Sequence, residues 1–143
     1  MKILRYIFVF MIFATLNLHA GSKRLVEKMN YENSYEKALK KGQTSGKPIM
    51  MLIGQEGCPF CNKFEVKTLT KDEVNDIIQT NFIPLTLLRD IDSFPEKFKP
   101  KGVPTVLFID PKDEEVFYKS FGYLSKQDYV IELQKAIELF HKK

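Results

Sequence analysis

Three short apolar runs, at residues 48–54, 82–88 and 103–110, constrain the fold of this chain more than any other feature. Each run holds seven or eight residues, a length that suits a buried strand better than a core helix. Segments with apolar residues at helical spacing lie between and around the runs. Because strands that alternate with helices build βαβ units, we expect an α/β fold with a mixed central sheet of about four strands and helices on both faces.

An edge strand and an extra helix complete the predicted fold. Residues 115–121 follow a tight turn and alternate in polarity, which predicts an antiparallel strand at the edge of the sheet. Before the first strand, apolar residues at helical spacing predict an additional N-terminal helix. Asn30 or Asn33 would cap this helix, and Gly42 and Gly46 would end it.

Local signals predict the remaining helices. Residues 58–69, which open at the cysteines, have helical spacing, and residues 94–102 predict a short turn or helix. Thr70 and Glu73 have the spacing of a capping box for the helix that follows them. Ser125 is expected to cap the last helix, whose apolar face comprises Tyr129, Leu133, Ala136, Ile137 and Phe140.

The first twenty residues differ in composition from the rest. Lys2 and Arg5 precede an apolar run of about a dozen residues, and Ala20 offers a small-residue cleavage site. This order predicts a signal peptide at residues 1–20 and one exported domain at residues 21–143, with no membrane insertion after cleavage. An uncleaved anchor is the alternative, although the run is short for the roughly 20 residues that a spanning helix needs. We expect the domain in a bacterial periplasm.

The charge pattern argues against a nucleic-acid partner. Without residues 1–20 the chain carries 20 basic and 18 acidic residues, which is a net charge of +2. The basic residues are interleaved with acids, as is typical of a solvated surface of mixed charge. We expect no binding of nucleic acid, and since nothing in the sequence indicates an oligomer, we expect a monomer.

Cys58 and Cys61 are the only cysteines of the chain, and they lie three residues apart. A disulfide that stabilises a fold closes a long loop, because the stabilisation comes from the chain entropy that the bond removes. This pair closes almost no loop. We therefore expect the pair to react rather than to hold the fold together.

The predicted start of a helix at the cysteines gives each of them a role. Free backbone N–H groups and the positive end of the helix dipole stabilise a thiolate, and the thiolate is the attacking species. Cys58 is therefore the predicted nucleophile, and Pro59 suits the first helical position. Cys61 lies one turn further on and is the predicted resolving thiol.

Other roles for the pair fit less well. Structural zinc needs about four ligands, whereas the exported chain offers two thiols and His141 in its tail. A c-type haem needs histidine directly after the second cysteine, where this chain has Asn62. A structural disulfide also fits poorly, because a bond between these two cysteines would close almost no loop. No metal is expected, and no cofactor beyond the redox-active disulfide of Cys58 and Cys61.

Further segments match a known family in order and in spacing. About forty residues after the cysteines, KGVPTVLFID places Val103 and Pro104 at the start of a buried strand. FGYLSK then precedes the final helix. Together with the Cys-x-x-Cys pair, these segments resemble thioredoxin-fold proteins over residues 31–141. The chain is most similar to small exported thioredoxin-like proteins, in which a helix precedes the first core strand.

The resemblance implies a groove that binds the substrate. Pro104 would be a cis-proline that faces the disulfide, and with Val103 it would offer backbone groups to an extended client segment. Gly122 would line the same groove, while Pro59 and Phe60 would contact the client and tune the redox potential. The alternatives are a trans proline at a strand start, a simple turn role for Gly122 and a buried Phe60.

The surroundings of the cysteines depart from the thioredoxin pattern. Typical thioredoxins read Trp-Cys-Gly-Pro-Cys, whereas this chain reads Gly-Cys-Pro-Phe-Cys. Leu52 and, approximately, Thr86 stand where thioredoxins have a buried aspartate and its lysine partner. Glu56, two residues before Cys58, is then the nearest candidate for proton transfer. A solvated loop glutamate is the alternative.

The resemblance implies an exported thiol:disulfide oxidoreductase. We expect it to reduce disulfides of periplasmic client proteins, cytochrome c apoproteins among them, and to be recharged by a membrane thiol electron donor. A disulfide oxidase is the alternative that the proline after Cys58 suggests, because dedicated periplasmic oxidases share it. A peptide-binding or chaperone module without redox activity is the second alternative.

Overall fold

The computed structural model describes residues 22–143. The predicted signal peptide and its cleavage site at Ala20 lie outside the described residues. Within residues 22–143, no helix combines the length and the hydrophobicity that crossing a bilayer requires.

The core of the fold is a mixed sheet of four strands, as predicted. The strands are β1 (Ile49–Gly54), β2 (Ile83–Leu88), β3 (Thr105–Asp110) and β4 (Glu115–Phe121). They lie in the order β2-β1-β3-β4. β1 pairs with β2 in parallel, and the other two pairs are antiparallel. All three apolar runs are therefore strands, and the alternating segment is the edge strand β4.

Within residues 22–143, five α-helices surround the sheet, with two short helices of other types. The α-helices are α1 (Lys23–Met29), α2 (Tyr35–Ser45), α3 (Pro59–Phe64), α4 (Asp72–Asn81) and α5 (Lys126–His141). A π-helix at Glu65–Leu69 continues α3, and Glu96–Phe98 forms a single 3-10 turn. α2 is the expected N-terminal helix. The seven-residue helix α1 was not predicted.

Both faces of the sheet are covered because side chains of a strand point alternately to its two sides. In β1, Met50 and Leu52 join a cluster with residues of α1, α3, α4 and α5, such as Phe64 and Leu133. Ile49, Met51 and Ile53 join the opposite cluster, which includes Tyr35, Ala38 and Phe98. β1 is buried on both faces, as its uninterrupted apolar run predicted.

The predicted N-caps of α2, Asn30 or Asn33, were wrong. The helix begins at Tyr35, and the hydroxyl of Ser34 accepts a hydrogen bond from the Lys37 N–H. Asn30 instead ends α1 in the left-handed region, with φ of 56°. Asparagine tolerates that region better than most residues. A cap residue near a helix therefore does not identify which helix it caps.

Gly42 does not end α2, which continues to Ser45 and stops at Gly46 with φ of 72°. Gly42 lies inside the helix, where a Cβ atom would be 3.0 Å from the Cβ of Pro111 and 3.1 Å from the Lys47 carbonyl oxygen. Because Gly42 has no side chain, α2 can lie close to Pro111, which is distant in sequence. Only tertiary structure reveals such a contact.

The predicted capping box of Thr70 and Glu73 is also wrong. The Thr70 hydroxyl donates to the carbonyl of Val66, and the Thr70 N–H donates to the carbonyl of Glu65. Lys71 occupies the N-cap of α4, without a side-chain cap. Thr70 is engaged at the end of the π-helix, so it is unavailable to the helix that follows. Ser125, by contrast, caps α5 as predicted, since its hydroxyl accepts from the Asp128 N–H.

Candidate active site

The two cysteines lie at the N-terminus of α3, directly beyond β1. Cys58 is the N-cap residue, and Pro59 is the first residue of the helix. Gly57, with φ of 69°, makes the turn from the strand into the helix. Cys58 and Cys61 form a disulfide with their Cα atoms 5.3 Å apart. The reactive pair of cysteines therefore lies at the N-terminus of α3, just after the end of β1.

The cysteines differ in exposure and in hydrogen bonding. Cys61 is buried, with 8% of its surface exposed, whereas Cys58 is half-buried. The Cys61 N–H donates to the Cys58 sulfur over 3.2 Å. In the reduced state a donor at this position favours negative charge on the sulfur of Cys58. The arrangement suits Cys58 as the sulfur that meets a client and Cys61 as the sulfur that resolves.

Pro104 lies at the same edge of the sheet as the cysteines. Ile53 near the end of β1 pairs with Thr105 at the start of β3, and Thr105 pairs with Phe121 at the end of β4. The Val103–Pro104 peptide bond is cis, so the trans alternative is excluded. Pro104 itself is buried.

Gly122 is joined to this loop. Its N–H donates to the Pro104 carbonyl over 2.8 Å, and its φ is 81°. The residue therefore makes a turn at the end of β4 and also fixes the position of Pro104. A role of Gly122 in lining the groove that binds the client stays a prediction.

Exposed aromatic side chains flank the site. Phe60, between the cysteines, has 61% of its surface exposed, so the alternative of a buried Phe60 is wrong. Phe121 is 68% exposed, and its ring lies against Gly102, where a Cβ atom would be 2.8 Å away. The sequence pattern predicts only a strand position for Phe121. Large exposed apolar side chains that gather near a reactive pair are typical of a binding surface.

Glu65 is a candidate site residue that the sequence pattern does not identify. It lines a cavity of about 310 Å³ together with Gln55, Gly57, Cys58, Pro59, Cys61 and Asn62. Burial raises the pKa of its carboxyl, and this effect outweighs the opposing hydrogen bond from Ser22 and the charge of Arg24. The available signal was its spacing, since Glu65 follows Cys61 by four residues and so lies on the same side of the helix.

Glu56, the residue predicted for proton transfer, is exposed in the loop before Cys58 and does not line the cavity that holds the cysteines. Leu52 and Thr86 are both buried and face each other across the β1–β2 pair. Neither of these two buried side chains is ionisable, so neither can accept a proton from a cysteine. Glu56 as a proton carrier stays a prediction.

Within the part of the chain that the structure describes, no three His, Cys, Asp or Glu side chains are grouped so that they could hold a metal ion. His141 lies at the end of α5, where its ring contacts Phe140.

A comparison with protein families finds that the family model for a thioredoxin-like domain matches residues 35–137. The chain belongs to the thioredoxin-like domain family. The matched range contains the strands, both cysteines, Pro104 and Gly122. The resemblance that the sequence motifs indicated is therefore confirmed.

The thioredoxin-like domain has relatives among larger proteins. It is 27% identical over 85 residues to anterior gradient protein 3 of Mus musculus, a match that covers 58% of this chain and 50% of that protein. The chain thus spans about half the length of this relative. It is also 28% identical over 106 residues to the thiol:disulfide interchange protein DsbD of Yersinia pestis, over 66% of this chain and 17% of DsbD.

Solved structures resemble the thioredoxin-like domain in fold. A thioredoxin from Thermus thermophilus superimposes with a TM-score of 0.62 at 24% sequence identity, over 71% of this chain and 82% of that one. The likeness confirms the thioredoxin-like fold that the sequence predicted.

Proposed function

We propose that this chain is an exported thiol:disulfide oxidoreductase that reduces disulfides of client proteins through a cycle at Cys58 and Cys61. The observation that carries the proposal is the Cys58–Cys61 disulfide at the start of α3, with Cys58 at the surface and Cys61 buried behind it. The family and the likeness to DsbD support the same chemistry.

The proposed cycle begins with the reduced pair. The Cys58 thiolate attacks a client disulfide, and one client sulfur leaves as a thiolate that takes a proton. Cys61 then loses its proton and attacks the Cys58 sulfur of the mixed disulfide, which releases the second client sulfur. The client gains two electrons and two protons, and the Cys58–Cys61 disulfide remains. A dithiol donor restores the reduced pair by the reverse exchange.

A carboxylate near Cys61 would accept the proton in the second step. Glu65 lines the same cavity as both cysteines, and burial raises the pKa of its carboxyl above the ordinary value, which makes the carboxylate a stronger proton acceptor. Glu56 is the second candidate and would act from the exposed loop through water.

The backbone of Val103 supports client binding by strand addition. Among residues 22–143, neither its N–H nor its carbonyl has a hydrogen-bond partner, whereas the Pro104 carbonyl is taken by Gly122. Free backbone groups beside a reactive pair suit an extended client segment, which would satisfy them. Pro59 and Phe60 would contact the client from the opposite side of the disulfide.

The location and the partners belong to the same proposal. A signal peptide at residues 1–20 would deliver the domain at residues 21–143 to the periplasm, where a membrane thiol donor recharges it. Client proteins with disulfides, cytochrome c apoproteins among them, would be its substrates. The domain would act as a monomer, without a metal and without nucleic acid.

The trapping of clients tests the proposal. Cys61→Ser should hold clients as mixed disulfides on Cys58, because the resolving thiol is gone, and these adducts should disappear on treatment with dithiothreitol. Cys58→Ser is the matched control and should trap none. If Cys61→Ser recovers no covalent client, or if Cys58→Ser keeps the full function, a binding module without redox activity replaces the proposal.

The reduction potential decides the direction of electron flow. Equilibration of the Cys58–Cys61 pair with glutathione buffers should give a value near that of thioredoxin, roughly −270 mV. A value near −120 mV, typical of a strong oxidase, would assign the chain to disulfide formation instead.

A further inference from the structure

A groove adjoins the candidate site on the face of the sheet that carries α2. Its volume is about 720 Å³, and it runs along β3 and β4 beneath the segment at residues 97–102. Its apolar lining comes from Phe98, Leu107, Val116 and Phe121. Val116 and Phe121 are exposed on the edge strand, so part of an apolar surface remains open beside the site.

The groove is continuous with the loop that holds the cis-proline. Gly102 lines the groove and directly precedes Val103 in the chain. The ring of Phe121 lies over Gly102, and Phe121 directly precedes Gly122. An extended segment that pairs with the backbone of Val103 would therefore pass into the groove as it leaves the cysteines.

Of the residues that the structure describes, four lysines and no acidic residue line the groove. Lys97 donates to the carbonyl of Glu114 over 2.7 Å and approaches the carboxylate of Glu115 at 3.5 Å. The ammonium groups of Lys99, Lys101 and Lys119 are exposed, and none of them has a partner among residues 22–143. The groove therefore concentrates positive charge on a chain whose charges are otherwise nearly balanced.

We propose that this groove, called here the lysine groove, docks an acidic segment of the client polypeptide next to the client's reactive cysteine. Carboxylates of the segment would meet the unpaired lysines, and separate apolar client side chains would lie against Val116 and against Phe121. Charge complementarity of this kind steers association and selects partners. The proposal rests on the proposed function, because docking at this place matters only if Cys58 exchanges with the client.

The test compares three client peptides of equal length. Each carries one cysteine as a mixed disulfide with 2-mercaptoethanol, followed by a leucine that is flanked by Glu, by Gln or by Lys. The pre-reduced protein is mixed with each peptide at low salt, and the second-order rate constant for reduction of the mixed disulfide is measured. Electrostatic steering should make the Glu peptide react about tenfold faster than the Lys peptide, and the ratio should fall towards one at high salt.

Matched variants separate the lysine groove from overall charge. Lys99→Gln combined with Lys119→Gln should remove most of the preference for the Glu peptide. Lys28→Gln combined with Lys71→Gln removes the same charge from exposed lysines that do not line the groove and that form no ion pair within residues 22–143. This control should keep the preference. Reduction of hydroxyethyl disulfide, which is small and neutral, should be equal in all three proteins.

The outcomes distinguish the two proposals. Equal rates for the three peptides, or equal loss of preference in both double variants, would overturn the docking proposal and leave the oxidoreductase in place. Failure to reduce hydroxyethyl disulfide and every peptide would remove the proposed function and this proposal with it. A single-stranded oligonucleotide that abolishes the preference while the Glu peptide shows no measurable affinity of its own would assign the groove to nucleic acid instead.

Discussion

The hydroxyl of Ser22 donates a 2.7 Å hydrogen bond to the carboxylate of Glu65, which ties the first described residue to the helical segment behind the cysteines. Arg24 reaches the same carboxylate oxygen at 3.4 Å and the side-chain oxygen of Asn62 at 3.5 Å. These contacts hold α1 beside the candidate site. They also oppose the effect of burial on the pKa of Glu65, so the unpredicted helix influences a carboxyl that shares the cavity of the cysteines.

Replacement of Glu65 by Gln should change the reactivity of Cys58. A carboxylate beside a thiol disfavours the thiolate, because the two negative charges repel each other. In reduced Glu65→Gln, the pH midpoint of alkylation of Cys58 by iodoacetamide should therefore fall, by about half a unit or more. The measurement is the alkylation rate between pH 5 and pH 10. Glu56→Gln is the matched control, and a shift of equal size in both variants would assign no special role to Glu65.

The raised pKa of Glu65 also predicts how stability depends on pH. The folded chain holds the Glu65 proton more tightly than the unfolded chain, whose carboxyl titrates near 4.5. The free energy of unfolding should therefore fall as the pH rises above 4.5 and through the folded pKa. Glu65→Gln cannot titrate and should lack this decrease. Urea denaturation of the oxidised proteins at pH 4 and pH 7.5 measures it, and parallel behaviour of the two proteins would contradict the prediction.

Two phenylalanines of the active-site helix should separate stability from function. Phe64 is 1% exposed, and its ring forms a T-shaped contact with that of Tyr129, with centroids 4.9 Å apart. Phe64→Ala should lower the free energy of unfolding by about 3 kcal/mol or more, since it opens a cavity in the core.

Phe60→Ala removes the same number of atoms from an exposed position. It should change the stability by less than about 0.5 kcal/mol and should slow the reduction of protein clients more than that of hydroxyethyl disulfide. Chemical denaturation measures the stability of Phe64→Ala and Phe60→Ala, and the kinetics of client reduction measure their function. A large loss of stability in Phe60→Ala would show that the side chain is packed rather than presented to clients.

A buried tyrosine offers a substitution that should stabilise the chain. The hydroxyl of Tyr31 is buried and has no hydrogen-bond partner among residues 22–143, and a buried unpaired hydroxyl costs about 1–3 kcal/mol. Tyr31→Phe should therefore raise the free energy of unfolding by about 1 kcal/mol.

The contrasting variant is Tyr35→Phe. The Tyr35 hydroxyl donates to a carboxylate oxygen of Glu114 over 2.6 Å, so its loss should lower the stability by about 1 kcal/mol. Thermal or urea denaturation measures both variants. A loss of stability in Tyr31→Phe would mean that its hydroxyl is satisfied after all.

The sheet could be predicted because its signals are local. An uninterrupted apolar run such as residues 48–54 is compatible with a strand buried on both faces, and the alternation of residues 115–121 fits a strand at the edge. The caps were less predictable. Asn30, Gly42 and Thr70 are residue types that favour helix boundaries. In the structure Asn30 ends α1, Gly42 allows a close approach to Pro111, and Thr70 donates to the carbonyl of Val66. The sequence pattern does not identify these roles.

Some residues of the candidate site could likewise be identified from the sequence, and others could not. The Cys-x-x-Cys spacing and the Val-Pro-Thr segment are contiguous in sequence, and both could be recognised there. Glu65 and Phe121 could not, because a glutamate in a helix and a phenylalanine in an edge strand are ordinary until the fold is known. Glu65 is a site candidate because it is partly buried in the cavity of the cysteines, and Phe121 is one because it is exposed next to Gly102.

The sequence by itself determined the order of the strands along the chain, the helix start at Cys58 and the pairing of two thiols within one turn, because each follows from spacing over a few residues. Only the tertiary structure decided which carboxyl shares the cavity of the cysteines and where unpaired lysines gather around an apolar groove. Burial and electrostatic fields depend on distances in space, and those distances join residues as far apart in sequence as Ser22 and Glu65.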